Sequence, residues 1–210
     1  MMLAAAGRER KKNYLLATEV DPNSRITVAK NLITFAGLTR NETAYVYDDF
    51  GAGHFSGDFS HVVGPVNLSA TDDGGISVFW TLANDLGDLK TLQVAEKDSL
   101  WAYFIRSGAD YKFAVREHNF DTFQQDIYTT TVAMVGNDYW FKVYRVESVG
   151  TYGTLYCEIY SDVTLTTLVD TLALTLTEKQ DFRYLYYLNS YNDTNAAACS
   201  GTIGGCVVNQ

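Results

Sequence analysis

Three histidines, three cysteines and a tyrosine-rich run are the groups whose types and spacing invite chemistry. His54, His61 and His118 are not spaced as a metal pair, and none stands beside a cysteine or serine in a nucleophile-like context, so they read as surface or packing residues. No nucleophile-elbow motif supports a Ser–His–Asp arrangement. The glycine-rich stretch Gly51-Ala52-Gly53-His54-Phe55-Ser56-Gly57 does not follow a strand into a helix, so no helix N-terminus is offered to a phosphate. Asp72-Asp73-Gly74-Gly75 and Asn192-Asp193-Thr194-Asn195 each supply oxygens of the kind a hard cation such as calcium takes. The same residues are what tight turns use, and they name no ligand set.

Tyr184-Leu185-Tyr186-Tyr187-Leu188-Asn189-Ser190-Tyr191-Asn192 is the one stretch that joins aromatic faces to amide hydrogen-bonders, as sugar binding requires. Tyr184, Tyr186, Tyr187, Asn189, Tyr191 and Asn192 are therefore the candidate glycan platform. A tyrosine ladder also covers a core or an edge, or serves a protein interface. Of the cysteines, Cys157 lies in an alternating run and reads as a small buried hydrophobe. Cys199 and Cys206 flank a hairpin-like segment that leaves a disulfide open. Asn41, Asn67 and Asn192 head Asn-x-Ser/Thr triplets, which are common by chance.

The elements that must position these groups are strands. With 210 residues, 47% of them hydrophobic and 14% aromatic, the chain suffices for one two-sheet core. The excess of tyrosine, 15 against 11 phenylalanines and 3 tryptophans, favours pleated, half-buried surfaces. Turn signals recur every eight to twelve residues or so between alternating runs, the rhythm of an all-β sandwich. These runs include 25–28, 32–35, 44–50, 61–69, 76–82, 99–105, 111–117, 125–132, 138–147, 154–160, 171–176, 182–190 and 201–208. In 138–147 both faces carry bulk, as in a central strand. Pro65 inside a strand-like run predicts an edge or a bulge. Residues 1 to about 23 lack periodicity and read as an arm, its Met1–Ala6 too short for a secretory h-region.

A net charge of −9 repels phosphate backbones and anionic headgroups, which excludes nucleic acid and membrane surfaces as partners. The basic stretch Arg8, Arg10, Lys11 and Lys12 reads as a solvated terminus. No run approaches the roughly 20 apolar residues that span a bilayer.

Three stretches in order carry a resemblance. Asp138–Tyr144, Gly153–Tyr160 and Ser200–Val207 resemble successive strands of the concanavalin A-like lectin/glucanase jelly roll, in its laminin-G-like branch. Asp49–Phe59 and Val149–Tyr156 resemble segments of uncharacterised bacteriophage and viral proteins. Glucanases of this superfamily carry E-x-D-x-x-E on one strand, because retaining hydrolysis needs two carboxylates about 5 Å apart. The nearest match, Glu96-Lys97-Asp98-Ser99-Leu100-Trp101, has Trp101 where the second glutamate belongs.

These readings predict an all-β, two-sheet antiparallel jelly-roll sandwich over residues 45–210, preceded by an extended arm and short hairpin over residues 1–44. The expected role is non-enzymatic, with no catalytic residues. It is that of a virion structural protein in capsid decoration, fibre or tail, anchored to other virion proteins or to further copies of itself. The alternative is an extracellular, lectin-like carbohydrate-binding module directed at cell-surface glycans, and a glycoside hydrolase is the remote third. No cofactor is expected, with calcium the one kept open.

Overall fold

Burial alternates with period two along residues 139–146: Tyr139, Phe141, Val143 and Arg145 are buried, while Trp140, Lys142, Tyr144 and Val146 are half-buried. The same pattern, bounded by turns, generates nearly all of the computed structural model, which describes residues 10, 11, 13–119, 124–129 and 132–209. Its strands begin with β1 (Arg10–Lys11), β2 (Thr18–Val20), β3 (Ile26–Ala29), β4 (Leu32–Thr39), β5 (Tyr45–Asp49), β6 (Phe59–Thr71), β7 (Ile76–Ala83) and β8 (Ser99–Ser107). They continue as β9 (Asp110–His118), β10 (Gln124–Tyr128), β11 (Asp138–Val146), β12 (Thr154–Tyr160), β13 (Leu168–Thr175), β14 (Tyr184–Asn189), β15 (Ala198–Ile203) and β16 (Cys206–Asn209). The one α-helix among the described residues is α1 (Leu89–Val94).

Two antiparallel sheets result. One has nine strands, in the order β13-β12-β11-β6-β15-β4-β3, with β16 paired to β6 and β1 to β16. The other has seven, in the order β10-β9-β8-β7-β14-β5-β2. The architecture is an all-β, two-sheet antiparallel sandwich. Its core lies between the sheets, where Phe79 and Phe113 of one meet Phe141 of the other at ring-centroid distances of 4.2 and 4.8 Å. Apolar area buried this way is the main driving force of folding.

The region before Tyr45 is not a separate arm. The β3–β4 hairpin pairs through β4 with β15, and β2 pairs with β5, so described residues before Tyr45 extend both sheets. The buried Tyr14 hydroxyl donates to the Gly204 carbonyl at 2.6 Å, fastening this segment to the C-terminal strands. Tyr14 fills a core position that the lack of periodicity around it concealed. Residues 1–9 and 12, with Arg8 and Lys12 of the basic stretch, lie outside the described residues, as do 130 and 131 of the run expected at 125–132.

Pro65 sits in β6, an interior strand, where the pairing with β11 slips between Tyr139 and Phe141. A bulge, not an edge, accommodates its missing donor. The closing run at 201–208 divides into β15 and β16 instead of forming one strand. Gly201 shows why the chain needs glycine there: a Cβ would lie 2.2 Å from the Asn67 carbonyl oxygen of neighbouring β6.

All three cysteines are buried and none is disulfide-bonded, so Cys199 and Cys206 are not bridged. Burial pushes the Cys199 thiol up to about 11 and Cys157 further above its usual range. A thiolate is the reactive form, so an aromatic disulfide reagent is expected to find no reactive thiol in the native protein and three after denaturation. A fast native reaction would contradict this packing.

Candidate functional site

The outer face of the seven-stranded sheet carries a second cluster of packed side chains, away from the inter-sheet core. Along β8, Leu100, Ala102 and Phe104 point inward, while Trp101, Tyr103 and Ile105 point outward. On β9 the outward positions include Ala114, Arg116 and His118, cross-strand partners of Tyr103, Trp101 and Ser99. Arg40 and Tyr191 close the end of this surface, from the turn after β4 and the segment after β14.

Together Arg40, Ile76, Trp101, Tyr103, Ile105, Arg116 and Tyr191 line a cavity of about 220 Å³. Its walls are rings and guanidinium groups in contact. The Arg116 guanidinium lies 4.9 Å from the Trp101 ring and 5.5 Å from the Tyr103 ring, and that of Arg40 lies 5.1 Å from the Tyr191 ring. Arg40 is held in place by a bidentate pair with Asp193 and by donation to the Gly74 carbonyl at 2.7 Å. Arg116 Nη2 lies 3.5 Å from the Tyr103 hydroxyl, which in turn donates to the Tyr128 hydroxyl at 3.2 Å.

The orientation of Trp101 is fixed by its indole N–H, which donates to Ser99 Oγ at 2.7 Å. His118 stacks behind it, with planes 9° apart and centroids 6.5 Å apart. Burial, and then the neighbouring Arg116 charge, hold the His118 imidazole below its ordinary pKa against the raising effect of its 3.2 Å contact with the Lys97 carbonyl. At neutral pH it is an uncharged ring.

Residues 84–98, which join β7 to β8, form a strap over the middle of this face. Its helix α1 is capped by Asp88, whose side chain accepts from Thr91 N at 2.9 Å. The buried face of α1, Leu89 and Leu92, packs into the same outer cluster as Trp101 and Tyr186. Backbone donors of Leu89 and Lys90 reach the Ser190 and Tyr191 carbonyls at 3.1 and 3.0 Å.

The six residues of the expected platform are distributed among different surroundings. Tyr191 lines the cavity. Tyr186 is buried beneath the strap, donating to the Asp85 carbonyl at 2.9 Å and accepting from Gly87 N at 3.2 Å. Asn189 donates to the Gly87 carbonyl at 3.2 Å. Tyr184 lies on the same outer face, against Tyr47 and under the Arg183 guanidinium. Tyr187 points the other way, into the inter-sheet core, where it packs on Tyr14 and donates to Asp48 at 2.6 Å. Asn192 donates to Thr43 Oγ1 at 2.9 Å and approaches Asp88.

Sequence reasoning missed Arg40, Tyr103 and Arg116 as site residues. Outward bulk at Trp101 and Tyr103, alternating with inward Leu100, Ala102 and Phe104, was the available signal. Among the described residues, no three His, Cys, Asp or Glu side chains gather as a metal-binding group. Asp72 and Asp73 instead accept from Ala198 N at 2.9 Å and Gly108 N at 2.5 Å. Among the described residues, no helix is long and apolar enough to cross a membrane.

No protein-family model and no curated protein matches the chain. Solved structures do. The exoplasmic/lumenal domain of VIP36, in its Ca2+/Man3GlcNAc-bound form, aligns over 96% of this chain and 88% of its own, with a TM-score of 0.66 and 11% identity. Alginate lyase Aly36B aligns over 94% and 87%, with a TM-score of 0.59 and 13% identity. A legume lectin-like domain from Entamoeba histolytica aligns over 90% and 88%, with a TM-score of 0.57 and 8% identity.

The second of these corrects the expectation of a non-enzyme. A sandwich of this kind is also the body of a lyase, and a lyase breaks its bond by elimination, without the paired carboxylates of glycoside hydrolysis. Trp101 in place of the second glutamate therefore bears on one chemistry and no more. At these identities the likeness shows the fold alone, a concanavalin A-like jelly-roll sandwich.

Proposed function

We propose that the cavity at Trp101 binds a glycan, and that the glycan carries a carboxylate. The observation behind this reading is the combination of ring faces and guanidinium groups around one small cavity. Trp101, Tyr103 and Tyr191 line it with rings and Arg116 brings a guanidinium to its wall, while the fork of Arg40 is already engaged by Asp193 and lies against the Tyr191 ring. Its volume falls below the roughly 300–1,000 Å³ of pockets for drug-sized molecules, which suits one sugar ring at a time. The lectin-like neighbours support a glycan as ligand. The resemblance of Asp49–Phe59 and Val149–Tyr156 to bacteriophage and viral proteins supports a virion surface as the setting.

A second reading has its own observation, the Tyr103 hydroxyl held between Arg116 and Tyr128. With Arg116 neutralising a uronate carboxylate, Tyr103, once its hydroxyl proton has passed to solvent, removes as phenolate the proton on the carbon next to that carboxylate and then returns it to the departing oxygen. The electron pair forms a carbon–carbon double bond and the glycosidic C–O bond breaks. The step consumes no co-reactant. It adds turnover to the same recognition.

Isothermal titration with oligomannuronates and with neutral cello-oligosaccharides tests both. Binding of the acidic series alone is expected, with Arg116→Ala weakening it about 10- to 100-fold, the worth of a hydrogen bond to a charged group. Trp101→Ala is expected to act at least as strongly. Silence towards every acidic oligosaccharide would overturn the proposal. The same mixtures, read for the ultraviolet absorbance of unsaturated uronate, decide between retention and cleavage.

A further inference from the structure

We infer that the 84–98 strap is a lid, and that the strip of sheet beneath it continues the glycan site so that several linked sugar units occupy it. This rests on the function proposed above and extends it from one ring to a chain. Three observations carry it.

First, the strap is far longer than its connection requires. Ala83 at the end of β7 and Ser99 at the start of β8 are paired directly across antiparallel strands, and a hairpin turn of two to five residues would join them. Residues 84–98 instead leave the sheet end, cross its outer face to Ser190 and Tyr191, and return. Most connections in compact domains are far shorter, about 4–6 residues, and this one carries a helix of its own across the face.

Second, the surface beneath it contains polar groups that nothing in the closed arrangement satisfies. Thr81 and Asn189 are 0% and 1% exposed, yet Thr81 Oγ1 and Asn189 Oδ1 have no hydrogen-bond partner. Both belong to the outer face: Thr81 is paired with Trp101 and Tyr186, and Asn189 with Val78. Buried polar atoms are almost always paired, so each exception calls for an explanation. A sugar hydroxyl lying along the strip supplies the donor that each oxygen lacks.

Third, the strip is continuous with the cavity and lined with rings. From Arg116 on β9 it crosses Trp101 on β8 and Thr81 on β7, reaching Tyr184 and Tyr186 on β14 and then Tyr45 and Tyr47 on β5. Four strand spacings of about 4.8 Å make it roughly 19 Å long. The tyrosines at its far end touch one another at 5.6–5.8 Å. The strap is held over it by the buried Leu89 and Leu92, by bonds joining Asp88 to Thr43 and Asn192 and Gln93 to Tyr191, by side-chain bonds from Tyr186 and Asn189 and by the two backbone bonds at Leu89 and Lys90. The hydrogen bonds among these are contacts a ligand chain can replace.

Amide hydrogen exchange of the intact protein, with mannuronate monomer and with the hexamer, tests the lid. Saturating hexamer is expected to speed exchange at Leu89 and Lys90 at least tenfold, while the monomer leaves it unchanged. Replacing residues 84–98 by an Asn-Gly turn is expected to tighten hexamer binding at least tenfold and to leave monomer binding within about twofold of wild type. Should that variant not fold, exchange in the wild-type protein still decides. Hexamer that binds no more tightly than monomer, or that leaves or slows exchange at Leu89 and Lys90, overturns the lid while leaving the proposed site standing. Absence of any uronate binding overturns both.

Discussion

Arg145→Met is expected to cost about 3–5 kcal/mol of stability, the range seen when one partner of a buried charged network is removed. The Arg145 side chain is 1% exposed at the end of β11. Its guanidinium donates to three carbonyls, those of Gly57 at 2.8 Å, Gln180 at 2.5 Å and Phe55 at 3.1 Å, and lies 5.3 Å from the Phe59 ring centroid. The Gly57 and Gln180 carbonyls belong to no strand and Phe55 only to an isolated bridge with Phe182, so one cation does much of the pairing at this end of the sandwich. Methionine keeps much of the volume but leaves the Gly57 and Gln180 oxygens facing an apolar chain, with Phe55 keeping its 3.4 Å bond from Phe182 N, and a stranded buried acceptor costs about 1–3 kcal/mol. For a chain of this length the loss corresponds to a melting point lower by on the order of 10 °C. Scanning calorimetry checks it. A shift under about 2 °C would mean that solvent reaches these carbonyls. Arg145→Lys is expected to recover only part, since an ammonium cannot reproduce the planar fork.

The same residue illustrates what could be read from sequence. Alternation over 138–147 placed Tyr139, Phe141, Val143 and Arg145 on one side and Trp140, Lys142, Tyr144 and Val146 on the other, which is how they lie. That a charged residue shares the buried side is legible, but the three carbonyls that make burial tolerable come from loops up to 90 positions away in sequence. The tyrosine run is divided between the two faces for a related reason. Strict alternation would put Tyr187 opposite Tyr186 and return Leu188 to the outer face. The irregular pairing of β14 with β5 between Tyr186 and Leu188 instead turns both Tyr187 and Leu188 inward. A bulge changes the parity of every residue after it.

The cavity is assembled from the turn after β4, from β7, β8 and β9, and from the segment after β14, so its composition depends on strand order, which periodicity does not reveal. The helix of the strap went unread, although its residues carry a signal. Asp88 followed by Leu89 and Leu92 is a cap ahead of apolar positions three apart. Such a helix is too short to stand out against the strands on either side of it. The glucanase-like segment proved informative in an unexpected way. It ends the strap at Lys97 and Asp98, and it starts β8, which carries Trp101 into the cavity. The residue whose identity argued against hydrolysis is the one on which the proposed sugar site is centred.

Below pH 6.5 the protein is expected to lose about 1.4 kcal/mol of stability per pH unit through His61 alone. Burial holds this imidazole down to about 3 in the folded state, against 6.5 for the free group. The geometry explains why it resists a proton. Its Nδ1 accepts the Trp80 indole N–H at 2.9 Å, so protonating that nitrogen would set two donors against each other. Its ring stacks on Phe59 and meets Phe55 edge-on, and Nε2 has no hydrogen-bond partner. As pH falls from 6.5 towards 3, the unfolded chain therefore takes up a proton that the native chain refuses. The contribution is complete above 6.5 and is lost through that window, reaching about 2.7 kcal/mol by pH 4.5. The low-pKa carboxylates act further down: Asp49, held near 2 by Arg183, gives way only as pH falls below the ordinary carboxylate range. Urea midpoints measured from pH 7 to 4 isolate the effect when wild type is compared with His61→Asn, whose amide oxygen retains an acceptor for Trp80. The variant is expected to be less stable at pH 7, because it packs less volume, but to show a slope flatter by about 1.4 kcal/mol per unit between pH 6 and 4. Parallel slopes would mean that His61 is protonated in the native state. Trp80 lies on β7, whose opposite face carries Thr81 and Val78 beneath the strap, so the strand that shields His61 on one side forms the floor of the proposed glycan strip on the other.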